Sequence, residues 1–255
     1  MDISTIVGVV AALGIVFTVQ ILEGGNPASI ILIPSILLVF GGAFMAGMAG
    51  GVLKDATGVG KLLQKAFLAK VAPPTKLVDD IVKLAERARR EGLLALEDAV
   101  KTVEHPFLKR GLQLAIDGTD PEELHDILHA EVAAKKKADK AGMKIFENMG
   151  GYAPTVGIIG TVMGLVHVLE NLDKPDTLGH SIAAAFVATL WGVLSANVFW
   201  LPMGAKITRT SDLQAAQMEL LVEGIAEIQA GTSPRAVRQK LTALVPPSEV
   251  AREAA

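Results

Sequence analysis

The chain contains no cysteine and few aromatic residues. Without cysteine there is no disulfide, no thiolate nucleophile and no zinc–thiolate site, so a secreted disulfide scaffold is excluded. A GxxxxGK[ST] nucleotide loop is also absent, because Asp55 stands where a motif ending at Gly60 and Lys61 requires its first glycine. ATP is therefore not the expected source of energy.

Charged side chains are missing from four long apolar stretches: Ile3 to Leu22, Ala28 to Leu53, Gly150 to Leu169 and Ser181 to Met203. Each has about the 20 residues that a helix needs to cross roughly 30 Å of hydrocarbon. The whole chain is 51% hydrophobic and 20% charged, too apolar for an ordinary soluble domain. The sequence predicts an all-α membrane protein with four transmembrane helices. We expect the first to be a retained anchor, because Asp2 and no basic residue precedes it and the run is longer than the core of a signal peptide.

Basic residues concentrate on one side of the predicted spans. Residues 54–147 hold 17 of the 24 lysines and arginines, six more follow Met203, and only Lys174 lies between the last two spans. Because such residues accumulate in cytoplasmic loops, we expect both termini and the 54–147 block to face the cytoplasm. The net charge of −3 averages over these environments and gives no support to nucleic-acid binding.

The sequence predicts four segments: transmembrane helices 1 and 2 in 1–53, a helical cytoplasmic domain in 54–147, transmembrane helices 3 and 4 in 148–203, and C-terminal cytoplasmic helices with a tail in 204–255. Apolar residues recur at helical spacing from Thr75 to Arg90, and Gly92 ends or bends that helix. Asp120 and Pro121 are typical of a helix start, and that helix is expected to run towards the third span.

The lack of any carboxylate in the spans bears on ion transport. A protein that moves protons or sodium ions normally needs an ionisable group at membrane depth. If this chain conducts ions, a partner must supply that carboxylate, and this chain contributes helix faces, hydroxyls and backbone carbonyls.

Small residues in the spans predict close helix packing. They recur every four residues at Gly42, Ala46 and Gly50 in the second span and at Gly160 and Gly164 in the third. The predicted contact lies within the four-helix bundle, with another subunit, or both.

Two histidines stand four residues apart on a predicted helix. His125 and His129 have a spacing that suits two metal ligands, but the pattern suggests no third ligand. Exposed helix histidines are the favoured interpretation, and no metal site is predicted.

The chain resembles the MotA/PomA family of flagellar stator proteins. The most specific resemblance lies in residues 153–166, APTVGIIGTVMGLV, together with TLWG at 189–192 and FWLP at 199–202. The stretch ARREGLLALED at 88–98 resembles the family's charged motif, and residues 224–229 resemble its tail. The resemblance implies a stator subunit that forms an ion channel and converts a proton or sodium motive force into torque.

The resemblance also implies partners and a location. Family members form a ring of five around two copies of a MotB/PomB-type partner, whose single span carries the ion-binding aspartate and whose outer domain grips peptidoglycan. The ring is thought to turn and to push on the rotor protein FliG. The chain would then lie in the lipid of the bacterial cytoplasmic (inner) membrane, with H⁺ or Na⁺ transported and no cofactor or catalytic residue.

Roles for individual residues follow from the same resemblance. It implies rotor-facing charges at Arg89, Arg90, Glu97 and Asp98, an ion path lined by Thr161 and Thr189, and coupling prolines at Pro154 and Pro202. Taken without the family, the charges would be a solvated helix face and the prolines helix starts or kinks. The threonines would bond to carbonyls of their own helices.

Other functions remain as alternatives. An ExbB/TolQ-like energiser of outer-membrane transport also surrounds a partner aspartate, but those proteins usually have three spans and a different order of loops. A small permease or a membrane scaffold would use the glycines only for packing. The coupling ion is open, since Gly160 and Thr161 resemble the sodium-driven pattern while a hydroxyl also serves a proton path.

Overall fold

The computed structural model describes residues 4–68, 71–173 and 175–249, so Lys174 and the end of the tail lie outside it. Its main helices are α1 Ser4–Leu22, α2 Ile33–Ala49, α3 Leu53–Leu68, α4 Pro74–Glu91, α5 Leu96–Thr102, α6 Pro106–Ile116, α7 Pro121–Glu170, α8 Pro175–Ser195, α9 Leu201–Gln229 and α10 Pro234–Leu244. Two short 3₁₀ helices, Pro27–Ile30 and Leu93–Ala95, and a π-helical turn, Ala196–Trp200, complete the set. Residues 4–68, 71–173 and 175–249 contain no β-strand, and the predicted all-α class is confirmed.

Contacts divide the chain into two compact units. The first unit comprises residues 1–70 and 139–209, and the second comprises 71–138 and 210–255. Helices α7 and α9 each contribute residues to both units. The predicted boundaries at 53, 147 and 203 refer to the membrane surface and stay predictions.

The first unit contains the apolar helices. Four are long and apolar enough to cross a membrane: Ser4–Leu22, Pro27–Ala49, and parts of Pro121–Glu170 and Leu178–Gln229. The 19 residues of α1 reach about 28 Å at about 1.5 Å per residue, close to the hydrocarbon thickness. The four predicted spans are confirmed. Helix α1 buries none of its own residues.

Helix α2 is shorter than the apolar run of the second span. The predicted run from Ala28 to Leu53 is a 3₁₀ turn followed by α2, which begins at Ile33. Pro34 lies in the first turn of α2 and has no N–H to give to a carbonyl one turn earlier, so the helix restarts there. Gly50 ends α2, and Leu53 opens α3 instead of closing the span.

The core of the second unit is built from α4, α5, α6, α10 and the parts of α7 and α9 that belong to it. Its fully buried side chains include Ile81, Leu112, Leu128, Leu221 and Ile225. Each such side chain contributes roughly 1.5–3 kcal/mol through burial.

Two local predictions in the second unit are confirmed. Helix α4 ends where Gly92 takes a φ of +86°, a conformation that favours glycine. Helix α7 begins after Asp120, whose carboxylate accepts a hydrogen bond from the Glu122 N–H at 2.9 Å.

Candidate functional site

Thr161 of α7 and Thr189 of α8 meet inside the first unit. Their hydroxyl oxygens are 2.5 Å apart, and the Thr161 hydroxyl lies 2.9 Å from the carbonyl oxygen of Ala185 on α8. It also lies 3.3 Å from the carbonyl of Gly157, on its own helix. Each hydroxyl has one proton to donate, and the two hydroxyls with the nearby carbonyl oxygens form a polar spot between apolar helices. The resemblance pointed to both residues, and the structure brings them together.

Glycines allow the helices to approach at this spot. A Cβ added at Gly157 would lie 2.8 Å from the carbonyl oxygen of Ala188, and one added at Gly192 would lie 2.8 Å from that of Ala153. Both obstacles are backbone atoms, which a side-chain rotation cannot clear. Contact of backbone with backbone therefore holds the two threonines within hydrogen-bonding distance.

The predicted packing glycines of α7 also face α8 of the same chain. A Cβ at Gly160 would lie 2.7 Å from the Cβ of Ala188, and one at Gly164 would lie 2.6 Å from the Cβ of Ala185. For these two positions the structure shows a contact within the bundle.

The predicted row of small residues in the second span, Gly42, Ala46 and Gly50, approaches α7 most closely at Gly42. A Cβ at Gly42 would lie 2.8 Å from Cγ1 of Val156, whereas Ala46 is half-buried and Gly50 is exposed. Ala43 and Gly47 are small residues on an adjacent line of the same helix, and both are buried, so that side of α2 is packed more deeply. A contact of Ala46 and Gly50 with another subunit stays a prediction.

The two predicted coupling prolines have different surroundings. Pro154 lies inside α7, and the helix continues through it. Pro202 follows the π-helical turn, in which the Leu201 N–H donates to the carbonyl of Ala196, five residues earlier. A proline has no N–H and its ring crowds the carbonyl one turn before, here that of Val198, so the wider turn makes room for it.

The π-helical turn also gathers aromatic rings that are rare in this chain. The ring of Trp200 lies 5.6 Å from that of Phe40 and 4.8 Å from that of Phe199, centroid to centroid. Close by in the sequence, the indole N–H of Trp191 donates to the carbonyl of Ile30 at 2.6 Å. The turn before Pro202 is therefore anchored to the second span.

The four predicted rotor-facing charges lie on both sides of the Gly92 bend in the second unit, and all four are exposed. Arg89 and Arg90 are in the last turn of α4, while Glu97 and Asp98 are in the first turn of α5. The positive charges lie at a helix C-terminus and the negative charges at a helix N-terminus, where the helix dipole favours each. The Lys101 ammonium donates a hydrogen bond to Asp98 at 2.8 Å, and this bond and its positive charge lower the pKa of Asp98.

Sequence reasoning missed a group of side chains on α7 and α9. The Nε2 atoms of His125 and His129 lie 3.1 Å apart, and a carboxylate oxygen of Glu223 completes a set of ligand atoms within 4.8 Å of one another. Glu223 is far away in the sequence, so no local spacing could have indicated it.

Comparisons with known proteins give the family and the fold of this chain. The family model of the MotA/TolQ/ExbB proton channel family matches residues 99–220. The chain is 35% identical over 247 residues to motility protein A of Bacillus subtilis (strain 168), a match that covers 96% of this chain and 92% of the relative.

Two solved structures have the same fold. The structure of C. jejuni MotAB superposes with a TM-score of 0.92 at 30% identity, over 97% of both chains. The flagellar MotAB stator complex from Bacillus subtilis superposes with a TM-score of 0.89 at 33% identity, over 99% of this chain and 100% of the other.

Proposed function

Since this chain belongs to the MotA/TolQ/ExbB proton channel family and, within it, to the motility protein A proteins, we propose that it acts as a flagellar stator subunit. With a MotB-type partner it forms an ion channel that converts a proton or sodium motive force into torque. It is a channel component, not an enzyme. Relatives named motility protein A match it along nearly its whole length, which favours the stator over an ExbB/TolQ-like energiser.

The polar spot at Thr161 and Thr189 carries this proposal. The four apolar stretches contain no carboxylate, so we expect a partner's carboxylate to bind the ion at membrane depth. Two hydroxyls and the Ala185 carbonyl, held by glycine contacts, offer oxygen atoms beside which such a carboxylate can load and release H⁺ or Na⁺. Each ion that crosses supplies about 2.3 kcal/mol per 100 mV, several times RT.

The exposed charges at the Gly92 bend are the proposed contact with the rotor protein FliG. Arg89 and Arg90 form no ion pair within the three ranges that the structure describes, so both remain available to carboxylates of a partner. Exposed charges hold weakly but steer and orient an encounter, which suits a contact that is made and released repeatedly.

Assembly as a ring of five around a partner dimer is proposed for the membrane part. Helix α1 buries none of its residues, and α7 leaves large apolar side chains uncovered, among them Ile158, Ile159, Val162 and Met163. In a membrane these exposed side chains can contact lipid, further copies of this chain or the partner's transmembrane helix. The basic residues of 54–147 support insertion in the bacterial cytoplasmic membrane with both termini inside.

Deletion followed by motility measurement tests the function. We expect cells without the protein to build filaments but not to swim, and the restored gene to return swimming. Repeating the assay with and without sodium separates the two coupling ions. Normal swimming of the deletion strain would refute the proposal where no second stator is encoded.

Reconstitution tests the division of labour between the two proteins. Vesicles that contain this chain with its partner should conduct the coupling ion, and vesicles that contain either protein alone should not. Ion-selective conduction by this chain alone would show that it does not depend on a partner's carboxylate.

A further inference from the structure

We propose that His125, His129 and Glu223 form a binding site for a Zn²⁺-like transition-metal ion in the second unit. The two histidines lie four residues apart on α7, and the glutamate comes from α9. One ligand atom from each residue falls within 4.8 Å of the others. Two imidazoles and one carboxylate form a ligand set that occurs in zinc sites with an open fourth position.

The imidazoles already have a separation that suits a shared metal ion. Two nitrogen ligands at about 2.0–2.1 Å from a tetrahedral Zn²⁺ lie about 3.3 Å from each other. The observed Nε2 to Nε2 distance is 3.1 Å. The ion therefore needs no movement of α7. The carboxylate of Glu223 is exposed and can close the remaining distance by rotating its side chain.

The two helices that supply the ligands are fixed next to each other. Lys136 of α7 and Glu219 of α9 form an ion pair of 2.7 Å near the three ligands. Leu128 and Ile225, which neighbour the ligands in the sequence, are fully buried in the core of the same unit. Ligands on packed helices keep their geometry better than ligands on loops.

The two imidazole ligands favour a transition-metal ion over calcium or magnesium. Imidazole nitrogens bind Zn²⁺, Co²⁺ and Ni²⁺, whereas Ca²⁺ and Mg²⁺ require oxygen ligands. Without a metal, the two Nε2 atoms can face each other at 3.1 Å only if one donates a proton and the other accepts it. A metal ion takes the place of that proton, which moves to Nδ1 of the same neutral ring, and links α7 to α9 through three ligands.

Metal titration of the intact complex tests the site. The chain is purified with its partner through a tag that contains no histidine, stripped with a chelator, and titrated with Co²⁺, whose visible absorption reports nitrogen and oxygen coordination. We expect saturable binding of one Co²⁺ per chain, displaced by Zn²⁺. We also expect Zn²⁺ to raise the thermal unfolding temperature, because an ion that binds only the folded state stabilises it.

Variants identify the ligands. His125→Gln and His129→Gln should each weaken binding about tenfold or more, and Glu223→Gln should also weaken it, since even the loss of outer-shell groups costs about 10–100-fold. His180→Gln removes an exposed imidazole elsewhere and should bind the metal as the unchanged protein does. Absence of saturable binding, or equal binding by all variants, would overturn the proposal. Because the readouts are affinity and unfolding temperature, they are independent of the ion-channel proposal.

Discussion

At the scale of single residues, the hydroxyl of Thr161 is the most informative group to remove. Thr161→Val keeps the shape but removes the shorter of the hydrogen bonds of Thr189, which is worth about 0.5–1.5 kcal/mol. We expect ion flux and swimming speed to fall up to about tenfold. Thr161→Ser keeps the hydroxyl and should retain most of both, as should Thr155→Val, whose exposed hydroxyl bonds only to Tyr152. Full activity of Thr161→Val would remove Thr161 from the ion path.

His105 caps α6 and introduces a pH dependence. Its Nδ1 accepts a hydrogen bond from the Leu108 N–H, and burial lowers the pKa of His105 below its ordinary value of 6.5. Because the pKa is depressed in the folded state, its stabilisation is present above pH 6.5 and is lost as the pH falls through the folded value.

The cap predicts two measurable effects. His105→Ala should lower the free energy of unfolding by about 1 kcal/mol, while His105→Asn, which also caps helices, should lower it less. Denaturant unfolding of the complex at pH 8 and pH 5 should show the original chain losing stability relative to His105→Asn at the lower pH. Parallel losses in both proteins would assign the pH effect to other groups.

Single residues also mark the limit of sequence reasoning. Resemblance to a family singled out Thr161 and Thr189 as lining an ion path, but their hydrogen bond to each other was not predicted, since residue spacing alone allowed bonds to their own helices instead. Glu223 was not found at all, because its position beside His125 depends on the packing of two distant helices. Chemistry that is local in the chain was predicted, and chemistry assembled by the fold was not.

At the scale of helices, the contact between α7 and α8 depends on glycine. Gly157→Ala or Gly192→Ala would place a methyl group against backbone atoms at about 3 Å, and overpacking of this kind costs about 1–3 kcal/mol. We expect a lower unfolding temperature and reduced ion flux from both. Gly151→Ala is the matched control on α7, because nothing lies within 4 Å of its added Cβ. A normal unfolding temperature for Gly157→Ala would mean that the helices separate without cost.

Helix ends were predicted correctly where capping residues were used to place them. Gly92 ended α4 and Asp120 opened α7 as their capping properties predict. Hydropathy did not show that α2 begins only at Ile33 and ends at Gly50 within the apolar run of the second span, because it takes no account of the missing N–H of Pro34. The π-helical turn was missed because a proline that follows a wide turn looks the same in the sequence as one that bends a regular helix.

At the scale of the whole molecule, the exposed charges of the second unit should affect work on the rotor and not assembly. Arg89→Glu or Glu97→Lys reverses a charge outside the core, and such surface changes usually alter stability by less than about 0.5 kcal/mol. We expect slower swimming with unchanged amounts of complex in the membrane. Lys83→Glu, an exposed reversal elsewhere on α4, should swim normally. Loss of the complex in Arg89→Glu would assign the residue a structural role.

The number of spans and the need for a partner were readable from composition, because hydrocarbon excludes charge and ion transport requires it. The number of subunits was not readable, since apolar side chains such as Met163 face lipid and protein with equal ease.

The π-helical turn at Ala196–Trp200 takes up one more residue than a regular turn would. Deleting one residue there should therefore keep the helix faces before and after the deletion on their partners, while the narrower turn brings the ring of Pro202 closer to the carbonyl one turn earlier. The same deletion in the middle of α8 would rotate everything beyond it by about 100° and turn Thr189 away from Thr161. At the π-helical turn, the fourth span can thus change its length by one residue while the helix faces on either side keep their contacts.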